Sequence, residues 1–203
     1  MRNSIRLLLA ALTAALAITL GAGGASALRS ISLNPAGNNV EARSTALTFT
    51  EGGGGFSLIC EVTLTINLNS AISKTAGSIV GNVIAAVFRN CRGGTFIVLA
   101  PEARNPWPIK FQNFTGTLPN ITEVTLTIEN TGFLVEAFFR TARCLYGGTI
   151  EGRTRNNPVN EIKAEEGRSV PLITDLNGGV ACSRTLLLKG IFRLGAPQTM
   201  TLI

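Results

Sequence analysis

The sequence predicts an all-β protein: an antiparallel β-sandwich, with a closed or partly open β-barrel as the alternative, held by two disulfides. Three observations predict it. Apolar and polar side chains alternate with a period of two, as in strands that bury one face. Thr, Val, Ile and Phe recur along these stretches, and 22 glycines and 8 prolines punctuate the 203 residues. Four cysteines follow an export signal, a setting in which cysteines pair.

The export signal opens the chain. Arg2 and Arg6 precede an apolar run from Leu7 to Leu20, broken only by Thr13 and Thr19, and Ala25-Ser26-Ala27 forms an A-x-A cleavage site. The run is shorter than the roughly 20 residues a membrane span needs. These features predict a cleaved signal peptide over residues 1–27 and a single β-rich domain over 28–203. They place the protein outside the cell or at its envelope, with no transmembrane helix after cleavage.

Strands are then expected in order. Ile31–Leu33 starts the set and Ala46–Thr50 follows, with Gly52 to Gly55 as a flexible hairpin tip. From Phe56 the chain reads FSLICEVTLTINLN, which puts Phe56, Leu58, Cys60, Val62, Leu64, Ile66 and Leu68 on one face. Further strands are expected near Gly81–Asn90, Thr95–Leu99, Ile109–Phe114, Glu123–Glu129, Phe133–Arg140, Thr185–Leu194 and Thr199–Leu202. Asn130-Thr131-Gly132 reads as a hairpin connection, and Pro106 and Pro108 mark Trp107 as a strand start or edge. Only Asn160 to Glu166 has helical composition. The word EVTLTI occurs twice, at Glu61–Ile66 and Glu123–Ile128. Chance repetition of a Thr/Leu strand pattern is favoured there over duplication of a half-domain.

Cys60, Cys91, Cys144 and Cys182 lie tens of residues apart, and the chain has no histidine. Zinc knuckles need closer spacing or histidine partners, and a redox site needs C-x-x-C. Two disulfides are expected instead, Cys60–Cys91 and Cys144–Cys182, each joining cysteines adjacent in sequence. The absence of histidine also excludes Ser-His-Asp and Cys-His chemistry. Carboxylates remain, but Glu61, Glu123, Glu129, Glu136 and Glu151 mostly fall on outward strand positions or beside turns. No catalytic residue, metal or cofactor is expected. The +6 charge is dispersed, without the stripe of cations and aromatics that nucleic acid requires. Trp107, with Phe111 and Phe114, is the one candidate ligand platform, for stacking on sugars; the competing reading is a tryptophan in the core. Asn113 and Asn120 each begin an N-x-T sequon. High hydropathy and alternating strands also fit an envelope β-barrel loosely, but one Trp and one Tyr cannot supply aromatic girdles.

Several words resemble a group of uncharacterised small exported bacterial all-β proteins with no known activity. They are the Ala-rich signal, Ser32 to Gly37, Cys60 to Thr65, Cys91-Arg92-Gly93-Gly94-Thr95, Pro106 to Ile109, Gly116 to Pro119 and Cys144-Leu145-Tyr146. The resemblance implies an exported β-rich domain and carries no activity. The function expected is a secreted, non-catalytic structural or binding domain of the cell surface or extracellular space. The alternatives are a carbohydrate-binding module, a carboxylate-dependent glycan hydrolase or an envelope β-barrel. Expected partners are a cell-wall glycan or another surface protein.

Overall fold

The structure is a computed structural model and describes residues 31–34, 39–53, 56–69, 71–73, 75–93, 95–98, 105–117, 120–137, 142–155, 159–164, 169–176 and 182–202. The expected signal peptide lies outside these residues. Twelve strands are present among them: β1 (Ile31–Asn34), β2 (Asn39–Glu51), β3 (Ser57–Leu68), β4 (Ala71–Ile72), β5 (Ile79–Arg92), β6 (Thr95–Val98), β7 (Trp107–Thr117), β8 (Asn120–Ala137), β9 (Ala142–Arg155), β10 (Val159–Ala164), β11 (Ser169–Asp175) and β12 (Thr185–Leu202). No described helix is long and apolar enough to cross a membrane, which leaves open what strands do.

The sheet closes into an antiparallel barrel of eight staves, and this corrects the expected sandwich. Strand pairs run in sequence order from β2 to β3, β5, β7, β8 and β9, and β12 returns to pair β2. The remaining strands share staves. β6 and β7 pair successive parts of β8 in the same direction, so together they make one stave. β10 and β11 likewise follow one another between β9 and β12. β1 continues the line of β2 along β12, and β4 continues the line of β3. Closure removes the two free edges that an open sheet would expose. Alternation looks the same along a sandwich strand and a barrel stave, so the period of two fits both.

Two local expectations change. Asn130-Thr131-Gly132 is not a hairpin: β8 runs straight through it, with Asn130 at φ 57° and a register shift between Ile128 and Thr131 against β9. The extra residue is a β-bulge. It moves the inward positions from Val124, Leu126 and Ile128 to Phe133 and Val135, so both halves of a long strand send apolar groups inside. The segment of helical composition at residues 160–164 is strand β10, because β9 and β12 saturate it from both sides and override propensity. Strand β9 carries three Gly, three Arg and one Glu in its 14 residues, which hides its alternation in the sequence.

Two glycines near cysteines, Gly147 and Gly93, are explained by close approach. A Cβ on Gly147 would lie 2.5 Å from the Thr131 carbonyl oxygen, where the bulge presses β8 onto β9. Gly93 has φ 94° and turns β5 into β6 over the Ser57 carbonyl. Both disulfides have the expected pairing, Cys60–Cys91 and Cys144–Cys182. Because stave direction alternates, both lie toward the same rim, here termed the cystine rim. The two EVTLTI words fall on β3 and β8, three staves apart and therefore running oppositely. Duplication of a four-stave half would have placed them on staves of one direction.

Candidate functional site

The interior divides into a filled half and a hollow half. Toward the cystine rim, Phe49, Phe88, Phe133 and Trp107 pack ring against ring, with Phe133 5.6 Å from Trp107 and 6.0 Å from Phe49. Leu58, Val135 and Tyr146 complete this plug. The strand parity that buries the plug also decides the proposed sugar platform. Trp107 and Phe111 are buried among the core residues, and Phe114 packs against the core with its ring 6.3 Å from Phe111. An exposed stacking surface is therefore not what these three residues form.

Tyr146 is fully enclosed, and its hydroxyl has no protein partner among the described residues. Burial, then the negative charges of Glu51 and Asp175, push its phenol well above the ordinary tyrosine range. Glu51 is itself buried and accepts a hydrogen bond from the Ser183 backbone N–H. Tyr146→Phe should therefore raise the thermal midpoint, since a buried hydroxyl without a partner costs about 1–3 kcal/mol. About 1 kcal/mol corresponds to roughly 2–4 °C at this chain length. The pH dependence follows from the raised folded pKa. Below the unfolded value near 10 both states hold the proton and stability is unaffected. As pH rises above about 10, only the unfolded chain loses it, so the stability of the native protein falls. The Tyr146→Phe variant should lack this contribution to the fall, and thermal unfolding of both proteins across that pH range checks it.

Toward the opposite rim the bore is hollow. A cavity of about 60 Å³ is lined by residues from all eight staves, among them Val40, Leu68, Val80, Val124, Ile162 and Leu194. A second, of about 40 Å³, adjoins it deeper in the barrel and shares Ile66, Ile109, Leu126 and Ile162 with it. Lining from all eight staves around the first, and from all but β5 around the second, identifies both as the lumen. Exposure agrees: inward Leu126 and Ile128 remain partly accessible, whereas outward Thr125 and Thr127 on the same strand are buried. The accessible surface of those inward chains is the inner wall. Along β9 the inward column contains Ile150, Gly152 and Thr154, and the missing side chain at Gly152 leaves room for Ile162, whose Cγ2 would lie 3.0 Å from a Cβ there.

Two polar residues stand among those that line the larger cavity, whose surface is apolar throughout. Thr154 and Gln198 are both at least nine-tenths buried, and Thr154 Oγ1 and Gln198 Oε1 have no protein partner among the described residues. The Gln198 amide donates from Nε2 to the Ala196 carbonyl at 3.2 Å, which fixes its oxygen as the free end. The two residues flank β10, Thr154 opposite Ile162 and Gln198 opposite Val159. Sequence alternation marks neither, because one buried Thr and one Gln look like ordinary strand polarity until closure turns them inward.

The carboxylates weighed for hydrolysis sit mainly on the outer wall with cations. Lys110 lies 2.6 Å from Glu129, Arg143 donates to Glu136 at 3.0 Å, and Arg153 bridges Glu123 and Glu151 at 3.5 and 3.4 Å. Comparison with protein-family models, curated proteins and solved structures gave no match, so the lumen itself carries the functional reading.

Proposed function

We propose that this chain is an exported, non-catalytic binding protein whose barrel holds a small, slender apolar ligand. The observation that carries this reading is the hollow apolar lumen, lined from all eight staves and closed at one rim by an aromatic plug. An eight-stave barrel is just wide enough to be filled by its own side chains or to hold one small ligand. Here it does the first at one end and leaves space at the other. Two disulfides are consistent with an oxidising compartment outside the cytoplasm. Ion pairs on the outer wall support a water-facing exterior, the reverse of a membrane barrel with its lipid-facing apolar band. The same ion pairs support a structural role for the carboxylates over glycan hydrolysis.

Methyl-labelled protein titrated with n-hexane tests the reading by NMR. Saturable shifts are expected at Val124, Leu126, Ile162 and Leu194, and Val124→Trp, which fills the bore, should abolish them. Shifts that are absent, or that persist undiminished in a folded Val124→Trp protein, would refute ligand binding in the lumen.

A further inference from the structure

We infer that a cationic groove on the outer wall, across strands β10, β12 and β2, binds an acidic glycan. The site is separate from the lumen and does not depend on the function proposed for it. The groove begins in a β-bulge. From Arg43 to Thr48 strand β2 takes five steps, while β12 takes four from Lys189 to Arg193. Against β3 the extra residue falls between Ser44 and Leu47, which face Val62 and Cys60. Thr45 and Ala46 are consequently both exposed, and the register of β12 with β2 is interrupted between Lys189 and Arg193. The seam opens there into a groove of about 510 Å³, within the size range of small-molecule sites.

The lining decides the ligand. Arg43, Lys163, Lys189 and Arg193 line the groove, all of them exposed, and no Asp or Glu does among the described residues. They come from three strands distant in sequence, so only the closed wall collects them. The register sets Arg43 directly opposite Arg193, a like-charged cross-strand pair that is destabilising by itself. Carboxylates at the margin compensate in part: Arg43 donates to Glu41 at 3.0 Å, and Arg193 lies 3.2 Å from Glu161. Both pairs are exposed, where such contacts are weak, so an oxyanion in the groove can take either guanidinium. Each guanidinium can hold a carboxylate or phosphate through two parallel N–H donors, which makes this arginine pair the anchor. On the flanks, Glu61 of β3 stands opposite the bulge and is aligned with Arg89 of β5, while Arg153 of β9 faces Lys163. Thr45 and Thr48 add hydroxyls that can donate to sugar hydroxyls or accept from them. No aromatic side chain lines the groove among the described residues, so the bases of a nucleic acid have nothing to stack on. Ile191 is the one large exposed apolar group there, too little apolar area to seat in a membrane.

The test titrates the intact protein with tetragalacturonate and with its methyl ester, which keeps the sugar skeleton and removes the charges. Backbone amide NMR locates binding, with shifts expected at Thr45, Ala46 and Ile191. The acid should bind about tenfold more tightly than the ester, and raising the ionic strength from about 0.05 M to about 0.5 M should erase most of that preference. Arg43→Gln combined with Arg193→Gln should weaken binding of the acid about tenfold, the loss of two exposed charge contacts. Glu161→Gln should instead tighten it about twofold, because it releases Arg193 and removes a competing negative charge. These three side chains are exposed, so the variants should keep the fold. A matched control, Arg89→Gln with Lys110→Gln, removes two charges from β5 and β7 across the barrel. It should change the affinity less than about twofold.

Equal affinity for acid and ester, or shifts confined to other parts of the barrel, overturns the inference. So does a folded Arg43→Gln, Arg193→Gln protein that binds like the native one, or weaker binding in Glu161→Gln. A control that loses as much affinity as the arginine variant makes the attraction one of net charge alone, and overturns it too. Hexathymidylate, hexaglutamate and phosphatidylglycerol vesicles are titrated alongside. Tighter binding of any of them at the same residues would assign the groove to a nucleic acid, an acidic peptide or a lipid surface and overturn the glycan reading. None of these results bears on n-hexane in the lumen, so the two proposals stand or fall separately.

Discussion

Replacing both Cys144 and Cys182 with alanine is expected to lower stability by about 4 kcal/mol. The pair closes a loop of 38 residues, for which the chain-entropy model gives just under that figure. Position adds to the argument. Cys144 lies on β9 and Cys182 just precedes β12, the strand that pairs β2 and closes the barrel. The cross-link therefore ties the closing stave to the wall, two staves away, that it must meet around the β10–β11 stave. Cys60–Cys91 joins β3 and β5, which are already neighbours in register, and its 31-residue loop predicts a slightly smaller loss. Urea unfolding checks both. Removing Cys144–Cys182 should shift the midpoint the further of the two, with a larger m-value because the unfolded chain is released. A domain of this kind holds roughly 5–15 kcal/mol in total, so the change removes a large share of it. A loss below about 1 kcal/mol for the Cys144–Cys182 pair would mean that barrel closure does not depend on it.

The two disulfides were legible because they need only compartment and arithmetic: four cysteines, an expected export signal and no histidine. Strands such as β3 were legible because a dozen residues alternate with Ile59 as the one exception, which a helix cannot satisfy. What escaped was anything decided by partners distant in sequence. Closure depends on β12 meeting β2, and the inward run of Leu186, Leu188 and Phe192 is the same whether a sandwich or a barrel results. The bulge at Asn130 carries the residues of a hairpin, Asn-Thr-Gly, and only its pairing with β9 distinguishes the two. The candidate site was hidden for the same reason. Trp107 stood out by type, yet it packs into the plug. Thr154 and Gln198 are ordinary by type, and only the geometry of the closed wall puts both in one cavity.

Phe133→Ala should cost about 3–5 kcal/mol, the usual range for deleting a buried phenylalanine. The ring touches Phe49 at 6.0 Å, Phe88 at 6.3 Å and Trp107 at 5.6 Å, so it is the hub of the plug, with almost no exposed surface. These are rings from β2, β5 and β7 meeting one from β8, four staves that converge only because the barrel is closed. The void left behind has little room to collapse, since each neighbouring ring is anchored to a different stave. Loss in urea or thermal unfolding should therefore lie at the upper part of that range. The same change alters the lumen. With the plug opened, the hollow bore gains depth toward the cystine rim, and the longest n-alkane that binds should increase by several methylenes. A Phe133→Leu protein should fall between the two in both measurements, because it restores part of the volume. If Phe133→Ala weakens the fold as expected but leaves the chain-length limit unchanged, the plug stabilises the barrel without setting the floor of its lumen.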